Sequence, residues 1–193
     1  STAVTALYDN QSVTTASSGS DPVLRVETDS SAPLRETILE TDFENGTTQG
    51  WGPRGNVTVK AVSEAAQSGT KSLKVTGRTA SWNGPNLNVV GILQPKTVYE
   101  ISGYVKLAAG QSPSQMIITM QRKPVGGNIS YDWIVSSAVN GVTSANWVFL
   151  QGQYTFDTAV SSLDIYVEST NNTAAFYLDK FTITKVIPPP TDP

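Results

Sequence analysis

Residues 161–170, SSLDIYVEST, alternate apolar and polar side chains with a period of two, and this stretch most narrows what the chain can become. That period belongs to a strand with one buried and one wet face. Leu163, Ile165 and Val167 take the core side. Asp164, Tyr166 and Glu168 take the other, so two carboxylates flank an aromatic ring on one exposed surface. A merely solvated face is usually built from Ser, Thr, Lys and Gln. A carboxylate–ring–carboxylate row suits a polar, uncharged ligand better.

The same short-strand-then-turn theme recurs along the chain. Strands are expected at residues 37–43, 57–62, 72–76, 86–90, 98–107, 115–122, 130–137, 147–154 and 175–185, with turns at Ser68-Gly69-Thr70, Asn83-Gly84-Pro85 and Gly126-Gly127. Within residues 98–107, Tyr99, Ile101, Gly103 and Val105 share one face. No segment sustains an apolar period of 3.6; only residues 62–67 hint at a helical turn. Many short strands at this spacing predict an all-β, antiparallel β-sandwich of jelly-roll type. Residues 1–35 read as an N-terminal linker or flanking segment. In it, residues 12–22 are of Ser/Thr/Gly linker type, residues 23–27 form a short strand, and residues 3–8 are a remnant of a neighbouring module. Residues 36–187 form the module itself. Residues 188–193 are a Pro-rich linker to a further domain, since proline cannot continue a sheet.

Composition removes several chemistries. The 193 residues contain no cysteine and no histidine, which excludes disulfides, thiolate or imidazole catalysis, and zinc held by either side chain. Oxygen-ligated metals remain, calcium first among them. Net charge is −3 with only 13 basic residues, none clustered, so nucleic acid and anionic membranes are poor partners. High Ser, Thr, Gly and Asn with few charges fits a secreted protein, and no coiled coil or apolar patch asks for a second copy, so a monomer is expected.

The aromatic residues divide between core and surface. Tyr99, Phe149, Phe156 and Phe181 alternate within strands and are expected in the core, while Trp51 and Trp147 can each close one end of it. Trp82 differs, because it lies among small and polar residues in Arg78-Thr79-Ala80-Ser81-Trp82-Asn83-Gly84. There it is either a lid on the sandwich edge or a platform for a sugar ring, whose axial hydrogens present an apolar face to an aromatic. Tyr131 and Trp133 share a strand face. Arg54 sits in the Gly/Pro turn Trp51-Gly52-Pro53-Arg54-Gly55, from which a guanidinium can reach a groove. If the terminal strands pair, Asp42 and Glu44 near the start meet Asp179 near the end, and carboxylates from both ends with backbone carbonyls would make a hard-cation site.

Taken in order, Asp42-Phe43-Glu44-Asn45-Gly46, Gly50-Trp51, Arg54-Gly55, Gly69-Thr70-Lys71-Ser72-Leu73-Lys74-Val75, the Arg78 to Gly84 piece, Tyr99-Glu100-Ile101-Ser102-Gly103-Tyr104-Val105, Tyr166-Val167-Glu168 and Phe176-Tyr177-Leu178-Asp179 resemble the xylan-binding carbohydrate-binding modules of family 22. The resemblance covers residues 39–186. It implies a jelly roll whose concave groove takes a β-1,4-xylan chain or xylo-oligosaccharide without breaking a bond, keeping a covalently linked xylanase domain near its substrate. It places the groove arginine on Arg54, the main platform on Trp82, a second aromatic on Tyr131 and the hydroxyl-binding glutamate on Glu168. A further groove tyrosine of the family falls on Asp164, with Tyr166 on the same face in a position to compensate. A structural calcium would use the Glu44 and Asp179 side chains, with backbone oxygens near Asp42 and Lys71. Three other readings stay open: a module for another β-glycan such as mixed-linkage glucan, a structural module without ligand, and a glycosidase using two facing glutamates.

Overall fold

The computed structural model describes residues 11–18, 21–28 and 32–191, which form thirteen strands and, among the described residues, no helix. β1 (Gln11–Ser18) and β2 (Asp21–Thr28) pair with each other as an antiparallel hairpin. The Ser/Thr-rich residues 12–22, expected as linker, thus contribute to two paired strands. β-Branched residues in this stretch favour extended backbone as readily as a flexible tether. Residues 3–8 lie outside the described residues.

The other strands build two facing antiparallel sheets. The first runs β10 (Ser130–Ser136), β9 (Met116–Pro124), β12 (Val160–Ser169), β7 (Gly84–Asn88), β4 (Gly52–Arg54). The second runs β11 (Val148–Tyr154), β8 (Val98–Leu107), β13 (Phe176–Ile187), β6 (Ser72–Thr76), β5 (Thr58–Val62). β3 (Leu34–Thr41) joins the second sheet beside the latter part of β13, with Phe181 opposite Thr41 and Ile187 opposite Leu34. The first and last strands of the sandwich therefore pair, and the architecture is the antiparallel jelly-roll sandwich that the alternation predicts.

The core is the sum of the inward phases. Leu163, Ile165 and Val167 of β12 meet Tyr99, Ile101, Val105 and Leu107 of β8 and Phe176, Leu178 and Ile183 of β13, all buried. Trp51 closes one end, edge-on to Phe181 at 4.8 Å, with its indole N–H donated to Thr41 Oγ1 at 3.0 Å. Tyr99, Phe156 and Phe181 are buried as expected.

Three expectations are corrected. Phe149 is 48 % exposed: it pairs with Tyr104 on the outer phase of β11 and β8, and the two rings pack 4.9 Å apart on the outside of the sandwich. Residues 62–67 form no helical turn, because Val62 ends β5 opposite Ser72 and bends follow. Arg54 is not in a turn but ends the edge strand β4, where Pro53 is tolerated because an edge strand can spare a donor.

Replacing Ile165 by Ala removes a buried side chain at the centre of both layers and should cost about 2–5 kcal/mol. Phe149→Ala should cost no more than about 1.5 kcal/mol, the scale of a surface aromatic pair. Chemical denaturation midpoints check both.

Candidate functional site

Residues directly opposite each other in antiparallel strands project from the same face. On the outer face of the first sheet this produces two polar rows. Tyr131, Gln121, Asp164 and Asn88 form one, and Trp133, Thr119, Tyr166, Asn86 and Gly52 the other.

Arg54 crosses these rows from the edge. Its guanidinium lies 3.8 Å above the centre of the Tyr166 ring, a cation–π contact. It donates Nη1 to Asn86 Oδ1 at 3.1 Å and Nη2 to Gln121 Oε1. Asn86 in turn donates Nδ2 to Asp164 Oδ1 at 3.0 Å. The Arg54 Nε is buried and, among the described residues, has no hydrogen-bond partner. This cover explains why Tyr166, expected on an exposed surface, is only 3 % exposed. Arg54, Trp82, Tyr131 and Tyr166 together line a cavity of about 420 Å³, within the range of small-ligand sites.

Glu168 accepts from Thr119 Oγ1 at 3.2 Å. Burial pushes its carboxyl above the ordinary value of 4.5, opposed by the Thr119 hydroxyl and the Arg54 charge. The Tyr166 hydroxyl is pushed up to about 12, first by burial and then by the Glu168 charge. The cavity thus holds a fixed guanidinium over a buried phenol, with the Glu168 carboxylate beside them, and is lined by two exposed rings: Trp82 is 48 % and Tyr131 59 % exposed.

The Trp82 loop has no core of its own and is held by Arg78. That buried guanidinium donates to the carbonyls of Asn83 at 2.7 Å and Ser81 at 2.7 Å within the loop, to Ser169 at 3.2 Å at the end of β12, and to Asn171 at 2.6 Å and Ala174 at 3.1 Å beyond it. Asn83 Oδ1 accepts the backbone N–H of Thr79 and Ala80, each at 3.0 Å. Gly55, at φ 83°, completes the seat: a Cβ there would lie 2.2 Å from Asn83 Nδ2 and 2.9 Å from the Trp82 ring.

All six ligand candidates therefore belong to this one face and its rim, four of them around the cavity, with Asp164 and Glu168 attached through Asn86 and Thr119. Asn86, Gln121, Thr119 and the anchoring role of Arg78 escaped the sequence reading. The alternation Asn86-Leu87-Asn88 carried a signal for the first; nothing local marks Gln121.

The carboxylates proposed for a metal lie near the paired ends of β3 and β13. Asp179 is fully buried; its Oδ2 accepts from the N–H of Gln67 at 2.8 Å and Ser68 at 3.3 Å, and its Oδ1 from Lys180 N–H at 2.8 Å. Burial raises its pKa, and the Glu44 charge raises it further. Glu44 accepts from Thr70 N–H at 3.0 Å and Lys71 N–H at 2.9 Å and fills the space over Gly69, where a Cβ would come within 2.5 Å of it. The Lys71 and Thr70 amides hold its pKa low. Asp42 Oδ1 accepts from Glu44 N–H at 3.2 Å and Gln49 Nε2 at 3.2 Å, which hold its own pKa low. Among the described residues there is no cluster of three Asp, Glu, His or Cys side chains, so a cation here needs backbone oxygens as well.

Residues 35–174 match the model of a family described as a carbohydrate binding domain. The chain is 44 % identical over 164 residues to endo-1,4-beta-xylanase C of Paenibacillus barcinonensis, an alignment covering 85 % of this chain and 15 % of that protein. It is 40 % identical over 147 residues to endo-1,4-beta-xylanase A of Thermotoga maritima, covering 75 % of this chain and 13 % of that one. It thus spans about a seventh of the length of these relatives. The structure superimposes on the CBM22-1 xylan-binding domain of Paenibacillus barcinonensis Xyn10C with a TM-score of 0.75 and 43 % identity, covering 81 % of this chain and 98 % of that domain. With family model, sequence and fold in agreement over the same sandwich, the chain belongs to the family 22 carbohydrate-binding modules.

Proposed function

We propose that this chain binds β-1,4-xylan and xylo-oligosaccharides along the outer face of its first sheet, and does so without catalysis. The observation that carries this reading is the cavity of Arg54, Trp82, Tyr131 and Tyr166. A pyranose needs an aromatic surface for its apolar face and fixed donors and acceptors for its hydroxyls. Trp82 and Tyr131 supply rings, Arg54 and the Tyr166 hydroxyl donate, and Glu168 accepts. Glycoside hydrolysis needs two carboxyl groups ~5–9.5 Å apart across one cleft. Glu100 does not face Glu168 across such a cleft: it projects from the outer face of the second sheet, where Arg35 Nε meets it at 3.1 Å.

The module works as a monomer, since one chain carries the whole cavity, and outside the cell, where xylan is. In the parent protein it is joined to a xylanase domain, whose local substrate concentration it raises by tethering. A calcium ion ties β3 to β13 through Glu44 and Asp179, with backbone oxygens near Asp42 and Lys71. Both side chains are hard oxygen ligands, and the Glu44 charge bears on the buried Asp179 carboxyl; the ion would compete with the backbone amides from which both now accept. When bound, the ion would supply the positive charge that offsets their repulsion.

Titration calorimetry with xylohexaose, with cellohexaose as comparison, tests the reading. Wild type should bind the first, and Trp82→Ala should lose at least ~2 kcal/mol, roughly thirtyfold in affinity, with its fold intact. Comparable binding of both sugars would favour the broader β-glycan reading, and silence with both the structural one. Because the Glu168 carboxyl is raised, it protonates at higher pH than a free glutamate. Affinity should therefore start to fall above pH ~4.5 as the solution is acidified, and Glu168→Gln should flatten that dependence. Chelation should lower the thermal midpoint, calcium should restore it, and Glu44→Gln should erase the difference between the two conditions.

A further inference from the structure

Trp133 lies outside the cavity and has no role in it, yet it is 56 % exposed on the same face. It follows Tyr131 by two residues on β10, so the two side chains leave the strand about 6.6–6.8 Å apart, on one side. Among the described residues no ring and no cation stacks on it. An indole left in water on a strand face keeps a large apolar surface uncovered, and a sugar ring can cover it.

Its neighbours are polar in the manner a sugar needs. Trp133 stands directly opposite Thr119, whose hydroxyl binds Glu168, and the row continues to Tyr166 and Asn86. The pairing register shifts between Trp133 and Val135. A bulge at this point bends the edge strand and re-aims the side chain next to it. Beyond the bulge, Val135 returns to the core phase opposite Ile118, so the exposed aromatic run on β10 is confined to Tyr131 and Trp133.

We propose that Trp133 forms a further xylosyl subsite, adjoining the cavity along β10, so that the groove recognises a chain longer than the cavity holds. The proposal rests on the reading of the groove as a xylan site. Its ligand is the next β-1,4-linked xylose of the same chain, stacked by its apolar face on the indole. Affinity then rises with oligosaccharide length until Trp133 is covered, and the gain from the last units belongs to this residue.

The test is a calorimetric series from xylotriose to xylohexaose with wild type, Trp133→Ala and Trp133→Phe, each first shown to keep the wild-type thermal midpoint. Wild type should gain affinity along the series. Trp133→Ala should match it on the shortest binding oligosaccharide and fall about tenfold behind on xylohexaose, while Trp133→Phe recovers part of the gain. Equal affinity of Trp133→Ala and wild type for xylohexaose overturns the subsite while leaving the xylan reading intact. An equal loss at every length overturns it as well, because the residue then acts on the central cavity. No binding by wild type at any length overturns the xylan reading and the subsite with it.

Discussion

The buried guanidinium of Arg78 is the contact on which the groove's shape depends. Among the described residues it has no carboxylate partner within hydrogen-bond reach, and it is solvated by backbone carbonyls drawn from two segments distant in sequence, the Trp82 loop and the end of β12 with the connection after it. Burial lowers its pKa to about 10, partly offset by the Glu168 charge, so it remains a cation at neutral pH. A cation that gave up these carbonyls would be left buried and unsolvated, so the two segments are held together. Trp82 is thereby fixed relative to the end of β12, where Glu168 immediately precedes Ser169. The exposed ring and the carboxylate, which belong to different elements, become one rigid arrangement.

Much of this was legible before the structure because β12 performs both jobs at once. Its inward residues build the core and its outward residues the floor, so one alternating stretch predicted a sandwich and half a site. Ten of the eleven sandwich strands were placed within a few residues, β6 and β8 at their observed bounds. What was illegible had physical reasons. β4 is three residues long and contains a proline, so it carries no periodicity, and Arg54 reads as a turn residue until its pairing with β7 is seen. Phe149 alternates as a core aromatic would, since period two cannot say which phase faces in; only the pairing with Tyr104 decides. Gln121 matters because Arg54 reaches it over two intervening strands, a relation across 67 positions that no local pattern encodes.

The cost of this arrangement shows where the groove is specialised. Arg54 is held by two amides and a ring before any ligand arrives, which reduces the ordering that binding must supply. Against this stand a buried Nε that has no partner among the described residues, worth about 1–3 kcal/mol of lost solvation, and a half-buried carboxylate at Glu168. Natural proteins keep such liabilities mainly where function requires them.

Asp164 belongs to the same economy. The family resemblance expects an aromatic there, which would add a stacking surface between Tyr131 and the floor. The carboxylate instead takes the amide of Asn86, turning that side chain so that its oxygen faces Arg54. Asp164, Asn86, Arg54 and Gln121 then form one continuous chain of hydrogen bonds across four strands of the sheet. A tyrosine at 164 could lend Asn86 an acceptor oxygen only from a longer, differently directed arm. The exchange trades a ring at this position for a more firmly held guanidinium, and leaves the exposed aromatic surface of this face to Trp82 and the β10 rings.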